Sequence, residues 1–583
     1  MERDSAKEST ISINPRIERD RKLLIDAGQK GRAATLKAYL RLSGPGWLQS
    51  GITLGGGSLS SSLYLGVLVG FSLMWLQPLM MILGIVMLSA IAYVTLSTGK
   101  RPFRAINEHV NPVLGWGWLI ASMMANLVWS MPQFALGTAA LQQNLLPNIV
   151  GVEVMPDPWG KLVAGGAMLA LAITAVMLYS VGGRGAKVFE IIVKLVVSVI
   201  VLCFFGVVIK MSVEGALDWS RILRGLVPNP RLLFSPAERF APFIGAVESQ
   251  FRSFWTDRIV SEQRDVMISA AATAVGINMT FLLPYSMLRK GWDKHFRGLA
   301  IFDLSTGLFI PFVLATGCVV IASAAQFHTV PEPGFLGEVN VQGQQVEPPE
   351  NLVGGYNKLV TARLEHEIGA EAFEQLPRAE RERLVNALPD ADKRMAAMLV
   401  KRDAFNLADS LAPLTGRTFS HYVFGIGVVG MALSAATTLM LINGLCFCEL
   451  LNVPAKGWQQ LVGSLMVSVG VLGIFFWEQA AFWLAVPTSV FGMMLLPIAY
   501  FTFYLLMNQK TLMGNNMPQG GRRVLWNVLM AVASGVAAFG SVWSLWSRLR
   551  FGGIVVIVAF VTLALVVQVV RGSRGSEAGD ETA

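Results

Sequence analysis

Three glycines and a serine, Gly55-Gly56-Gly57-Ser58, interrupt an apolar segment that is long enough to cross a lipid bilayer. The segment covers residues 44–66, and Ser58 begins a run of four serines within five residues. A helix that loses its backbone hydrogen bonds at membrane depth exposes peptide groups, which are tolerated only where protein or a water-filled cavity surrounds them. The interruption therefore marks a candidate substrate site. Small residues also permit close helix packing, which is the competing interpretation.

A second apolar segment, residues 266–289, is interrupted by Gly276, Asn278 and Pro284. Interruptions in the first helix of each of two five-helix halves indicate an inverted repeat with its site at the membrane midplane. The predicted binding surface consists of Gly55, Gly57, Ser58, Gly276, Asn278, Met279 and Thr280. Met279 is the candidate metal ligand, through its thioether.

Ionisable side chains are nearly absent from the predicted membrane segments. Only Glu190 and Asp303 place a carboxylate there, so they are the candidates for proton or ion coupling. Glu190 precedes Lys194 by four residues on one helix, and the two side chains could simply neutralise each other. The histidines and cysteines have no metal-ligand spacing.

A neutral site limits the solutes that it can bind. A dehydrated divalent cation loses much hydration energy there, and backbone carbonyls with one thioether recover only part of it. A partly hydrated cation, a monovalent ion or a small neutral or zwitterionic solute fits better.

The composition is typical of a polytopic membrane protein. Of 583 residues, 53% are hydrophobic and only 15% are charged. The length of the apolar runs predicts an all-α fold with about twelve transmembrane helices. The runs cover residues 44–66, 72–98, 115–141, 160–182, 187–212, 266–289, 298–325, 418–447, 459–477, 481–507, 524–546 and 551–571.

Basic residues indicate the orientation in the membrane. The chain has 47 Lys and Arg against 38 Asp and Glu, and the basic residues lie mainly in short segments between apolar runs. This distribution is explained better by a membrane orientation signal than by nucleic-acid binding. Residues 1–43 and 572–583 are predicted to be cytoplasmic tails of an inner or plasma membrane protein. The predicted partners are the lipid bilayer and a small ion or solute.

Several functions lack any motif in the chain. There is no nucleotide-binding loop, so neither nucleotide binding nor an ATP-driven process is predicted. There is also no HExxH, no GxSxG and no clustered acid and base residues in the apolar runs, so the chain is predicted not to be an enzyme. No cofactor is expected, apart from a transported divalent cation.

The runs divide the chain into two halves. Residues 44–212 and 266–507 are the predicted five-helix repeats, and 508–571 would add two helices. Between the repeats, residues 213–265 are predicted to be an outer loop in which 236–262 form an amphipathic helix on the membrane surface, with entry of part of this helix into the membrane as the alternative. The polar insert 326–417 has helical patterns and is predicted to form a small cap between two spans.

Several segments resemble the Nramp (natural resistance-associated macrophage protein) divalent-metal transporters, which have the LeuT-type fold. Residues 44–58, GPGWLQSGITLGGGS, resemble the start of that family's first helix. Residues 302–328 resemble its seventh helix, and 494–514 resemble the end of its tenth. The resemblance implies a 5+5 inverted repeat with broken helices one and six, and metal transport by alternating access.

The departures from the family pattern fall on the site itself. The family's metal-binding Asp and Asn correspond to Gly55 and Ser58. Its Met-Pro-His of helix six corresponds to residues 279–281, which keeps the thioether and loses the histidine. An alternative alignment places the Met-Pro-His motif at residues 249–251, but it leaves an extra predicted span and disrupts the symmetry of the two repeats. The family's acidic residues of helix three and glutamine of helix ten correspond to positions at or near Met131, Phe134 and Ser489.

These features predict a secondary transporter of the Nramp type that moves a metal ion by alternating access through an atypical site. Two alternatives stay open. One is a carrier for a small organic solute or a monovalent ion, and the other is a membrane binding or sensor protein that does not transport.

Overall fold

The fold is built from helices packed side by side. The computed structural model describes residues 15–181, 183–340, 343–402, 406, 416–475 and 484–580. The chain is 82% helical and its described residues form no β-strand, which confirms the predicted all-α class. Apolar segments of this length form helices because the backbone must satisfy its own hydrogen bonds in lipid.

The candidate membrane-spanning helices are numbered spans 1 to 12 in the order in which they follow one another along the chain. In the described part of the chain, ten helices are long and apolar enough to cross a membrane, and the two halves of span 1 together make an eleventh. The helix Gly183–Val213 takes the remaining position as span 5. The spans are 1 (Pro45–Thr53 and Gly56–Val69), 2 (Leu76–Thr98), 3 (Pro112–Ala140), 4 (Trp159–Val181), 5 (Gly183–Val213), 6 (Arg252–Ala274 and Ile277–Arg289), 7 (Arg297–Leu304, the π-turn Ser305–Phe309, and Ile310–Phe327), 8 (Arg417–Leu450), 9 (Gly457–Leu465 and the 3-10 segment Met466–Ile474), 10 (Ala485–Met507), 11 (Gly520–Leu549) and 12 (Phe551–Asp580).

Spans 1 and 6 are both interrupted, as predicted. Span 1 consists of half-helices 1a (Pro45–Thr53) and 1b (Gly56–Val69), which meet at an angle of 57°. Span 6 consists of half-helices 6a (Arg252–Ala274) and 6b (Ile277–Arg289), separated by two residues in extended conformation. This break lies just before Met279, as the preferred register requires, whereas residues 249–251 form a 3-10 turn directly before the first residue of span 6.

The spans pack in two groups. Spans 1 and 2 each contact spans 6 and 7, which makes one group, and spans 3, 4, 8 and 9 all contact one another, which makes the second. Span 10 lies against spans 3 and 6, and span 11 covers spans 2 and 10. The two broken spans therefore lie where the first group faces the second.

Span 6 begins earlier than the sequence predicted. The boundary predicted at 265/266 and the surface helix predicted over 236–262 are wrong, because residues 252–274 form one continuous helix. The N-terminal part of this helix carries charges that pair with other side chains: Glu262 binds Arg258 at 2.8 Å and also pairs with Lys401. The preceding residues form only the short helices Trp219–Arg224, Pro230–Leu233, Glu238–Phe240, Ala241–Ala246 and Ser249–Phe251.

The insert after span 7 forms a small helical unit, called the cap. Its helices are Glu350–Ile368, Ala370–Glu374, Arg378–Ala387 and Asp390–Leu399. The carboxylate of Asp392 accepts hydrogen bonds from Trp255 Nε1 of half-helix 6a at 2.6 Å and from Arg363 Nε at 3.0 Å. The hydroxyl of Tyr64 in half-helix 1b donates to the carbonyl oxygen of Arg402 at 2.6 Å. The cap is thus attached to both broken spans.

The predicted tails also contain helices. Helices Pro15–Lys30 and Arg32–Leu42 precede span 1, and Arg21 binds Asp293, between spans 6 and 7, at 2.7 Å. Span 12 extends to Asp580, so residues 572–580 continue a helix. The remaining helices are Pro102–His109, the π-turn Leu141–Leu145, Pro147–Val150, Lys294–Phe296, Lys510–Met513 and Gly514–Asn516.

Candidate functional site

The break in span 1 leaves backbone groups without helical partners, and side chains take their place. Gln133 of span 3 accepts a hydrogen bond from the amide of Gly56 at 2.9 Å. Ser58 donates to the carbonyl oxygen of Thr53, and Ser434 of span 8 donates to that of Gly51 at 2.9 Å. Satisfying these end groups is what allows a helix to stop inside a protein interior.

Met279 connects the two breaks. Its sulfur accepts hydrogen bonds from the hydroxyl of Thr53 at 3.2 Å and from the amide of Gly276 at 3.5 Å. Its carbonyl oxygen lies 3.5 Å from Nε2 of Gln49 in half-helix 1a. The predicted thioether ligand is therefore buried between half-helices 1a and 6b, where it contacts both broken spans.

A cavity of about 40 Å³ lies on the other side of the span 1 break. This volume holds one dehydrated ion or a few water molecules, since one water needs ~10–15 Å³. Its lining comes from both groups of spans: Ile52, Gly57, Trp129, Pro132, Gln133, Thr273, Ala435, Leu439, Thr488 and Ser489. The polar atoms that these side chains supply are neutral oxygens and nitrogens, without a carboxylate.

The predicted site residues divide between this cavity and the surrounding packing. Gly57 lines the cavity, whereas a side chain at Gly55 would lie 2.8 Å from the side chain of Ala435, so Gly55 permits close packing. Asn278 donates to Oδ1 of Asn126 at 3.2 Å. Thr280 accepts a hydrogen bond from Trp118 Nε1 at 2.8 Å.

Ser58 and Gly276 also have contacts within the protein. The hydroxyl of Ser58 is bound to half-helix 1a, and a side chain at Gly276 would collide with the ring of Trp129. Of the seven predicted residues, Gly57 alone appears in the lining of the cavity, while Met279 joins the two breaks.

Gln133 is the principal site residue that sequence reasoning missed. The resemblance placed the family's acidic positions on Met131 and Phe134, so Gln133, which lies between them, was not predicted as a site residue. One feature of the sequence does indicate it: a side-chain amide stands directly after Pro132 within an apolar run. Ser489, which was predicted to correspond to a polar position, does line the cavity.

Asp303 lies at the start of half-helix 1a rather than at the cavity. Its carboxylate accepts hydrogen bonds from the hydroxyl of Ser43, from the amide of Gly44 at 3.0 Å and from the amide of Gly46. A side chain at Gly46 would collide with the backbone of Asp303, so glycine is required there. Glu190 belongs to span 5, but its side chain lies outside the described residues.

No group of three or more His, Cys, Asp or Glu side chains in the described part of the chain is arranged to hold a metal ion. Two interrupted spans that meet beside a small cavity, within a bundle of membrane helices, define a membrane transport protein of the LeuT-type fold.

Comparisons with known proteins identify the family. The family model for natural resistance-associated macrophage protein-like proteins, Nramp, matches residues 46–347 and 394–547. The chain belongs to the Nramp family, and it is an integral membrane protein. A search of the curated proteins found no match to the sequence.

Solved structures confirm the fold. A crystal structure of the Eremococcus coleocola manganese transporter, in complex with an aromatic bis-isothiourea substituted compound, is similar with a TM-score of 0.59 and 15% sequence identity. The match covers 92% of this chain and 95% of that chain. A mutant of the same transporter matches with a TM-score of 0.58 at 14% identity, over 92% and 94% of the two chains. These family members and structural relatives are transporters rather than enzymes.

Proposed function

We propose that this protein is a secondary transporter that moves a metal ion across the membrane by alternating access. Family membership and the fold shared with a manganese transporter support this proposal. The two broken spans belong to the first packed group, and spans 3 and 8 of the second group supply the opposite wall of the cavity. A rocking motion of one group against the other would therefore expose the cavity to each side of the membrane in turn.

The observation that carries the proposal is the small cavity beside the break in span 1, whose lining includes the polar side chains of Gln133, Thr273, Thr488 and Ser489. Half-helix 1a ends and half-helix 1b begins beside it, and Gln133 both lines the cavity and accepts a hydrogen bond from the amide of Gly56. Hard cations prefer oxygen ligands, and Mg²⁺ in particular keeps several waters when proteins bind it. With neutral oxygens in place of carboxylates, the cargo is a cation that retains part of its hydration shell.

The basic residues support an orientation with both termini in the cytoplasm. Half-helix 1a and the loop that binds Arg21 are at the same end of the molecule as the basic connections after spans 2, 6 and 10. The break would then open towards the cytoplasm when half-helix 1a moves. Glu190 remains the predicted coupling residue in span 5.

A second candidate is a carrier for a small neutral or zwitterionic solute. The observation that favours it is the neutral lining, since half-helix 1b begins with amides at the cavity and such a helix end favours a carboxylate group. A protein that binds its ligand but does not transport it would take up neither metal ions nor organic solutes.

Uptake into proteoliposomes distinguishes these functions. We expect saturable uptake of Mn²⁺ or Mg²⁺ under an imposed ion gradient, and a reduction of about tenfold in Gln133→Ala, which corresponds to ~1.4 kcal/mol. Gln143→Ala is the matched control, because Gln143 is an exposed amide in the π-turn Leu141–Leu145 that follows span 3. Uptake of an amino acid without uptake of either metal would support the second candidate, and no uptake of any solute would overturn both.

Gly57→Ala tests whether the cavity itself holds the cargo. The added methyl group would lie 3.2 Å from Cγ2 of Thr273 and 3.4 Å from the hydroxyl of Ser489, so it fits after small shifts while filling the cavity. Alanine is also ~1 kcal/mol better than glycine in a helix. We expect an unchanged or higher melting temperature together with a loss of uptake of about tenfold.

Gly166→Ala is the control for this substitution. Gly166 lies in span 4 with open space around its Cα, so the change brings the same helix preference without filling a cavity. Equal uptake by Gly57→Ala and Gly166→Ala would show that the cavity does not hold the cargo.

A further inference from the structure

A membrane-facing groove separates span 11 from spans 2 and 7. Its volume is about 480 Å³. Ile82 and Val86 form one wall, Phe309 of the π-turn in span 7 forms the second, and Trp526 and Leu529 of span 11 form the third. The lining is apolar apart from two serine hydroxyls, and that of Ser305 donates to the carbonyl oxygen of Ile301 at 2.9 Å. The groove therefore offers a surface for a hydrocarbon chain rather than for a polar solute.

One end of the groove is marked by a positive charge. Arg522, Leu525, Trp526 and Leu529 recur at intervals of three or four residues, which places them on one face of span 11. The last three line the groove, so the exposed guanidinium of Arg522 lies one turn beyond its end. In the described part of the chain, no ion pair involves Arg522.

A second guanidinium lies at the same end. The guanidinium carbon of Arg297 stands 4.5 Å above the ring of Tyr93, which in turn lies 6.1 Å from the ring of Trp526. Asp293, the acidic residue near Arg297, already binds Arg21. Tyr and Trp are enriched at the depth of lipid headgroups, so this end of the groove lies at the membrane surface.

We propose that this groove binds an anionic phospholipid. One acyl chain lies along Val86, Phe309 and Leu529, and the phosphate is held by Arg522 and Arg297. Positive charges at the headgroup and apolar side chains below it match both parts of such a lipid. Because the lipid would contact span 7 of the first group and the peripheral span 11, its binding would stabilise the packing between them.

Lipid retention on the purified full-length protein tests this assignment. The protein is exchanged into neutral detergent, supplied with phosphatidylglycerol or phosphatidylcholine, and examined by native mass spectrometry. We expect clear preference for phosphatidylglycerol, and a fall of about fivefold in that preference for Arg522→Gln, which corresponds to ~1 kcal/mol for one surface charge. Lys456→Gln removes an exposed positive charge from another connection and should retain the preference.

A groove-filling variant provides an independent test. Ser305→Trp adds an indole at an exposed position of the groove, where it competes with the acyl chain. We expect retention of phosphatidylglycerol to fall in this variant while the melting temperature of the lipid-free protein is maintained. Equal retention of the two lipids by the unmodified protein, or equal losses in Arg522→Gln and Lys456→Gln, would overturn the proposal. The outcome does not depend on which solute the protein transports.

Discussion

Asp392→Ala lowers the stability of the protein by about 3–5 kcal/mol, the largest loss that we expect from a single substitution. Asp392 is fully buried, and its carboxylate is shared by the buried guanidinium of Arg363 and by the indole of Trp255. Alanine leaves the buried Arg363 guanidinium with Glu367, whose side chain is 44% exposed, as its ion-pair partner, and leaves Trp255 Nε1 without its acceptor. Losing the buried partner costs more than the ion pair itself contributes. The cap would lose one of its attachments to half-helix 6a, while the pair of Lys401 with Glu262 stays in place.

The measurement is thermal or denaturant unfolding of the purified protein, followed by tryptophan fluorescence. Glu382→Ala is the control, because it breaks an ion pair with Arg378 in the same cap whose two side chains are 61% and 88% exposed. Such exposed pairs contribute only ~0.3–0.5 kcal/mol. Equal unfolding midpoints for the two variants would contradict the expectation.

Replacement of Arg363 together with Asp392 distinguishes two causes of the lost stability: the missing ion pair, and the buried charge that has lost a partner. The double variant Arg363→Met with Asp392→Leu removes both charges while keeping apolar volume, and we expect it to be more stable than Asp392→Ala. If the double variant were the least stable of the series, the ion pair itself, rather than an unpaired charge, would hold the cap in place.

Asp303→Ala is expected to have the largest effect on half-helix 1a. Three donors at the start of this half-helix lose their acceptor, which costs ~2 kcal/mol or more when the donors are buried. Half-helix 1a is also tied to span 7 further along, because the hydroxyl of Ser50 donates to the carbonyl oxygen of Gly307. Without the Asp303 contacts, the hydrogen bond of Ser50 to Gly307 would still join half-helix 1a to span 7.

We therefore expect Asp303→Ala to melt at a lower temperature and to show greater reactivity of a cysteine introduced at Leu42 towards a thiol reagent. If the protein transports as proposed, uptake should fall as well, because half-helix 1a would be held less firmly beside the cavity. Asp293→Asn is the control, since its ion pair with Arg21 is partly exposed and joins the helix Pro15–Lys30 to the connection between spans 6 and 7. Unchanged melting and reactivity in Asp303→Ala would show that the carboxylate does not hold half-helix 1a.

Much of the fold could be predicted because it depends on local patterns. Long apolar runs form helices in lipid, so their number and approximate positions followed from the sequence. The two breaks also followed from local composition, since glycine and small polar residues are clustered at Gly55–Ser58 and just before Met279. The family resemblance added the order of the spans.

The prediction over residues 236–265 was wrong for a reason that local patterns could not show. Charges such as Glu262 made this stretch unsuitable for lipid, and the sequence predicted a helix on the membrane surface. In the structure, residues 252–265 belong to half-helix 6a, and Glu262 pairs with Arg258 of the same helix and with Lys401, which lies 139 residues away. The partner that makes the helix stable is distant in sequence.

The candidate site shows the same division. Sequence reasoning proposed the glycines and Met279 as site residues but not Gln133, whose side chain meets the amide of Gly56 across 77 residues. It also assigned Asn278 and Thr280 to the binding surface, whereas their hydrogen bonds lead to Asn126 and Trp118 of span 3. A residue's position beside a break does not fix the direction of its side chain.

The sequence by itself determined that this chain crosses the membrane many times as helices, and where two of those helices break, because both properties follow from backbone hydrogen bonding and the composition of short segments. Only the tertiary structure decided which groups complete the broken ends. A half-helix end in a membrane protein needs a partner for every backbone amide and carbonyl, and packing selected Gln133, Ser434 and Asp303 from spans that are far apart along the chain.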